Sequence, residues 1–194
     1  QEPFIGVREQ WYYNNFMFLA QGVIAERITG KSWEENIKER FFKPLDMTRS
    51  NVSIEELEKS SNAAIGYELK KDSIISKMDY YHIAGMSPAG SINSSVNDMS
   101  NWLITWINNG KFNDVQILPE AYIGEAISSQ MVVSGALPDK EFPDMHLSNY
   151  GYGWFLSSYR GHYRVEHGGN IDGFSANVSF FPSDSIGVVV LTNQ

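Results

Sequence analysis

The chain has 194 residues, 42% hydrophobic and 20% charged, the balance of an ordinary folded domain and not of a disordered one. A formal charge of -8 without any run of Lys or Arg argues against a polyanionic partner, so no nucleic acid is expected and a small molecule or a protein is. With no cysteine there is no disulfide, thiolate nucleophile or Cys-ligated zinc, and no apolar stretch is long enough to cross a bilayer.

The opening Gln1-Glu2-Pro3-Phe4 has neither an initiator Met nor a basic-then-apolar leader, and reads as the interior of a longer polypeptide. From about Asn15, the spacing of Phe16, Leu19, Ala20, Val23, Ile24 and Ile28 predicts a helix with that face in the core and Gly30 as its stop. Ser32-Trp33-Glu34-Glu35 reads as a capping box, followed by an apolar stripe of Trp33, Ile37 and Phe41 that ends at Pro44. Ser53 and Glu56 repeat the box ahead of a short polar helix. Residues 64–69 are weakly strand-like, and 70–81 read as a surface excursion.

Glycines and a proline make residues 85–91 an irregular loop, after which Ser95 and Asp98 cap a helix burying Met99, Trp102, Leu103, Trp106 and Ile107 as far as Gly110. Pro119 opens another helix running to about Ser129, and a polar loop follows. From Gly151 the period becomes two. Strands are expected over 152–157, 162–166, 174–181 and 186–191, joined by Arg160-Gly161 and by Pro182-Ser183-Asp184-Ser185 in an antiparallel meander. The fold class is therefore α+β, one partial domain over 1–194 with helices to about residue 149 and sheet strands from about 150.

Two motifs have the residue types that chemistry needs. In Tyr13-Asn14-Asn15 a phenol for proton transfer and an amide for holding a substrate lie two apart, although Asn15 alone reads equally as a helix N-cap. In His167-Gly168-Gly169-Asn170 two residues without side chains leave a strand edge bare, so that a ligand can reach backbone N–H groups; the plainer reading is a glycine-rich turn with a surface histidine. His82, His146, His162 and His167 show no metal-ligand spacing, and no metal is expected.

In this order and context the two motifs resemble the serine β-lactamase and penicillin-binding-protein superfamily, in its class C-like branch of esterases, D-aminopeptidases and carboxypeptidases. Tyr13-Asn14-Asn15 and the helix after it resemble the Y-x-N segment. Phe42-Lys43-Pro44-Leu45-Asp46-Met47 resembles F-x-P-L-G-M, with Asp46 for the common Gly. Pro88 to Met99 resembles the A-G-G-x-x-S-x-x-D-M helix entry, and Glu166-His167-Gly168-Gly169 with Gly173-Phe174 resembles the H-x-G strand. Residues 70–81 and 132–149 are the least recognisable.

The resemblance implies a β-lactamase/transpeptidase-like fold and a covalent acyl-enzyme on an ester, amide, β-lactam or D-amino-acid peptide, without metal or organic cofactor. It assigns proton transfer to Tyr13 as a phenolate stabilised by nearby positive charge, substrate holding to Asn15, and donation to Tyr13 or a substrate carboxylate to His167. Gly168, Gly169 and Asn170 would line the substrate strand, the Asn170 N–H serving as half of an oxyanion hole. No Ser-x-x-Lys occurs in these 194 residues, so the nucleophile and the strand and helix that close the family's sheet are expected outside them, and the chain alone is expected to be inactive. A nucleophile-free sensor of the same fold is the alternative. A periplasmic or secreted location is implied by the resemblance only.

Overall fold

In the computed structural model, which describes Glu2 and residues 4–194, short polar side chains open the helices. Asn14 sits in extended backbone and its side-chain oxygen accepts from the Phe16 N–H at 2.8 Å, starting α1 (Asn15–Thr29); Gly30 stops it in the left-handed conformation, φ 69°. Ser32 and Glu35 exchange both bonds of a capping box at the head of α2 (Trp33–Ile37), which continues into a π-helical stretch, Lys38–Phe42. Only half of the expected second box forms at α3 (Ile54–Glu58). Ser53 accepts from the Glu56 N–H, but the Glu56 carboxylate is paired with Lys38 at 2.6 Å and the Ser53 N–H is taken by Asn51.

The surface excursion expected over 70–81 is instead a hairpin, in which β1 (Tyr67–Lys70) pairs antiparallel with β2 (Ile74–Lys77). Its turn residues Lys71 and Asp72 have φ of 51° and 54°, a geometry usually announced by Asn-Gly and here unannounced. A 3-10 turn (Ala84–Met86) leads through α4 (Ser87–Gly90) to α5 (Val96–Ile107), opened by Ser95 accepting from the Asp98 N–H. A second unannounced hairpin, β3 (Lys111–Phe112) with β4 (Val115–Gln116), turns through Asn113 and Asp114 at positive φ. Pro119 precedes α6 (Glu120–Ala126), which stops short of the expected Ser129.

Six strands form the main sheet: β5 (Met131–Ser134), β6 (Ser148–Tyr150), β7 (Phe155–Tyr159), β8 (His162–Ile171), β9 (Phe174–Phe181) and β10 (Ile186–Thr192), in the order β10-β9-β8-β7-β6-β5. It is the expected meander with two strands added in front, β5 pairing antiparallel with β6 and β6 with β7. The sheet therefore begins near residue 131, not 150. β6 reads Ser-Asn-Tyr, with low intrinsic strand preference in two of three positions, and its pairing is decided by its neighbours.

The residues divide into two compact units. The first takes the described residues up to Tyr13, with Leu103–His167 and Val178–Val188. Its core is aromatic: Trp154 meets Trp106 edge-on at 5.1 Å and Phe180 at 5.3 Å, and Leu156 and Val165 are fully buried. Each such ring pair adds about 1 kcal/mol beyond the area it buries.

The second unit takes Asn14–Trp102, Gly168–Asn177 and Val189–Gln194, with Phe42, Leu45, Met47 and Val52 as its core. Here only part of the stripe expected to be core on α1 is shielded. Phe16, Val23, Ile24 and Ile28 are exposed and Leu19 and Ala20 half-buried, while the buried residue of the helix is Gly22. The helix is apolar around most of its circumference, so periodicity does not select a face. Gly22 does: a Cβ there would stand 2.3 Å from the Pro88 ring, so only glycine lets α1 and α4 approach.

Candidate active site

Two glycines set the register that builds the site in the first unit. Between β6 and β7 the chain runs Tyr150-Gly151-Tyr152-Gly153-Trp154, where Gly153 has φ 79° and the Gly151 N–H donates to the Trp154 carbonyl at 2.8 Å. A Cβ on Gly151 would lie 2.1 Å from the Ala126 carbonyl oxygen, so this turn requires glycine. It places Tyr150 opposite Phe155, and Phe155 opposite Glu166 on β8, one residue before His167.

His167 thus lies in a nest of rings. Its Nε2 is hydrogen-bonded to the Tyr150 hydroxyl at 3.0 Å, and its ring lies 5.3 Å from Phe155 and 5.8 Å from Tyr13. Tyr13 meets Tyr150 edge-on at 6.4 Å, and Trp11 contacts Tyr13, Tyr150 and Phe155 at 6.2, 5.7 and 5.6 Å. Tyr13 and His167, 154 positions apart in sequence, are therefore brought together as the motif reading requires.

Burial pushes the Tyr13 phenol above its ordinary value, which favours its protonated form. Burial pushes Tyr150 up much further, with the nearby Tyr13 oxygen adding to the effect. A phenolate at Tyr13 needs a cation beside it strong enough to reverse that desolvation.

The remaining motif residues lie in the second unit. The helix cap is Asn14 and not Asn15, which leaves the exposed Asn15 side chain with no hydrogen bond to any described residue. Gly168 and Gly169 sit within β8 and not in a turn, since that strand runs on to Ile171. Neither glycine is demanded by its surroundings: a Cβ at Gly168 would make ordinary contact with Ala176, 3.4 Å away, and one at Gly169 would meet nothing within 4 Å. Asn170 accepts from the Ser175 hydroxyl at 2.7 Å across the turn that Gly173 makes at φ 76°. The other histidine on this strand, His162, is in the first unit and bonds both Asp184 oxygens at 2.9 Å. Among the described residues no three His, Cys, Asp or Glu gather as a metal site.

The chain matches the family described as Beta-lactamase over residues 5–194. It belongs to the beta-lactamase family. Proteins similar to it include a hydrolase and a penicillin-binding-protein homologue, and its fold is shared with amidases. Protein flp of Staphylococcus aureus is 26% identical over 186 residues, covering 95% of this chain and 34% of that protein. The unguisins hydrolase ungD' of Aspergillus campestris is 27% identical over 188 residues, covering 96% of this chain and again 34% of the relative. The chain thus spans about a third of the length of these curated relatives.

Among solved structures, the octameric penicillin-binding protein homologue from Pyrococcus abyssi matches with a TM-score of 0.83 at 30% identity, over 96% of this chain and 39% of that one. A D-stereospecific amidohydrolase from Streptomyces sp. matches at 0.76 and 19% identity, over 100% of this chain and 53% of that one, a likeness of fold. The α+β architecture is that of the β-lactamase and transpeptidase fold.

Within this beta-lactamase-family chain, the motif reading missed Tyr150, Trp11 and Phe155. The signal for Tyr150 was present in Tyr-Gly-Tyr-Gly-Trp, two glycines spaced among aromatics where a strand was expected to begin. Trp11 carries no comparable signal, because only the folded chain brings it to Phe155.

Proposed function

We propose that the chain furnishes part of the acyl-transfer site of a serine hydrolase that forms a covalent acyl-enzyme on an ester, amide, β-lactam or D-amino-acid peptide. The observation that supports this reading is the approach of Tyr13 to His167, 5.8 Å between rings, from opposite ends of the chain. The nucleophilic serine and its lysine come from a Ser-x-x-Lys segment outside these 194 residues. That lysine is the cation able to offset the desolvation of Tyr13, letting the phenol relay the serine proton to the leaving group.

Asn15 holds the polar side of the substrate, consistent with a side chain not used for capping. His167 donates to Tyr13 or to the substrate, and Gly168 and Gly169 let the substrate run along β8. The Asn170 N–H, with the N–H of the nucleophile, stabilises the oxyanion. The protein works in the periplasm or outside the cell.

A serine-reactive fluorophosphonate, applied to the complete gene product, should label one serine that peptide mapping places in a Ser-x-x-Lys. The 194-residue chain alone should remain unlabelled. An intact, folded parent that takes no label would overturn the hydrolase and leave a binding module of the same fold.

A further inference from the structure

The hydroxyl of Tyr150 has one hydrogen-bond partner among the described residues, Nε2 of His167 at 3.0 Å. A phenol can donate or accept, so the direction of this bond is set by what else is available to each group. If Nε2 carried a proton and donated it, the Tyr150 O–H would be left without a hydrogen-bond acceptor among the described residues, and an unsatisfied, partly buried donor costs about 1–3 kcal/mol. If Tyr150 donates, its proton is satisfied and Nε2 is the unprotonated nitrogen.

The bond is held by packing on both sides. Phe155 meets the Tyr150 ring edge-on at 4.8 Å, Trp11 lies 5.7 Å away and Tyr13 6.4 Å, while Phe155 also lies against the imidazole at 5.3 Å. Backbone pairing of Tyr150 with Phe155 fixes where the ring starts. The hydroxyl therefore has little freedom to leave Nε2.

We propose that Tyr150 is a positioning residue that holds His167 as the neutral tautomer protonated on Nδ1, with the Nε2 lone pair occupied. His167 then acts as a hydrogen-bond donor through Nδ1 and not as a general base through Nε2. This rests on the reading of His167 as a participant in acyl transfer, but the tautomer itself can be tested without any turnover.

The first test is the pair of imidazole nitrogen shifts of His167, from long-range 15N–1H correlation spectra of the 194-residue chain. Nδ1 should resonate in the protonated range and Nε2 in the unprotonated one. In Tyr150→Phe, which keeps the ring against Phe155 and Trp11, the population should move toward the Nε2–H form. A wild-type spectrum with Nε2 protonated overturns the proposal, and so does a folded Tyr150→Phe variant with an unchanged spectrum. Should that variant not fold, the wild-type spectrum still decides.

In the complete enzyme the same substitution should lower kcat about 10- to 100-fold with KM within about twofold, the range for loss of a group that orients another. Unchanged kcat would overturn the positioning role. If the complete protein takes no serine label, acyl transfer fails while the nitrogen shifts still report the tautomer.

Discussion

Gly173, at the turn between β8 and β9, lies so close to Gly66 that a Cβ on Gly173 would stand 2.8 Å from the Gly66 Cα. The approach is reciprocal, since a Cβ on Gly66 would stand 3.0 Å from the Gly173 Cα and carbonyl oxygen. Gly173 also has φ 76°, a conformation that alanine adopts with strain. Gly173→Ala should therefore destabilise the fold by about 2–3 kcal/mol, combining the positive-φ strain with a backbone clash. Urea unfolding would show this as a lower midpoint with an unchanged m-value, and an unaltered midpoint would mean that the two segments separate readily.

Asp98 is a buried carboxylate, 4% exposed, that accepts from the Arg49 N–H at 2.9 Å, the Ser50 hydroxyl at 2.7 Å and the Ser95 hydroxyl at 3.2 Å. Its own N–H donates to Ser95, which starts α5. Removing the carboxylate leaves the Arg49 N–H and the Ser95 hydroxyl without that acceptor, while Ser50 keeps Ser94 at 2.8 Å, so Asp98→Ala should cost about 2–3 kcal/mol by thermal or urea unfolding. Asp98→Asn keeps the size but supplies N–H groups where acceptors are needed, and should recover less than half of that loss. Full recovery by Asn would show that the negative charge is dispensable.

These two cases show why some of the fold is legible and some is not. Ser95 with Asp98, Ser32 with Glu35, and Gly30 announce helix ends because capping is a local contract among residues three or four apart. The hairpin turns at Lys71-Asp72 and Asn113-Asp114 lack the glycine that would advertise them, and their positive φ values are imposed by the strands they join. The buried face of α1 is only partly legible for a related reason, since the close approach of Gly22 to Pro88 is a contact between segments distant in sequence. In the site, Tyr13 and His167 were legible from residue type and order. Tyr150 was not, because its role depends on strand register.

Tyr13→Phe separates chemistry from packing. The ring contacts with Trp11, Tyr150 and His167 survive the substitution, so stability should change by no more than about 1 kcal/mol, the net worth of one hydrogen bond. Acylation in the complete enzyme should fall about 100- to 10,000-fold, the contribution of a positioned proton-transfer group. Pre-steady-state labelling by a chromogenic ester would measure it, and equal rates for the two proteins would remove Tyr13 from the mechanism.

Burial raises the phenols of Tyr13, Tyr122, Tyr150 and Tyr163 above their ordinary value near 10.0, and this predicts an alkaline limit to stability. Below that value the phenols are neutral in folded and unfolded chains alike, and their burial carries no ionisation penalty. Above it the unfolded chain releases protons that the folded one retains, so stability falls as pH rises toward the folded-state values, most through Tyr150, whose phenol is raised furthest. Urea midpoints taken from pH 9 to 11.5 should decline, and Tyr150→Phe should flatten the slope. A midpoint independent of pH across that window would mean that these hydroxyls are solvated.

Gly169 offers the sharpest separation of function from fold. A Cβ there meets nothing within 4 Å, its φ is not positive, and it lies inside β8, so alanine is compatible with the backbone as it stands. Gly169→Ala should fold as well as the parent, or up to about 0.5–1 kcal/mol better, because it removes backbone freedom from the unfolded chain. A substrate running along this strand would meet the new methyl group where it needs the backbone, and kcat/KM in the complete enzyme should fall roughly 100-fold, as for a displacement of about 1 Å in a positioned reactant. If stability and kcat/KM are both unchanged, the glycines of His-Gly-Gly do not face the substrate, and the approach of the ligand must be sought on another edge of the site.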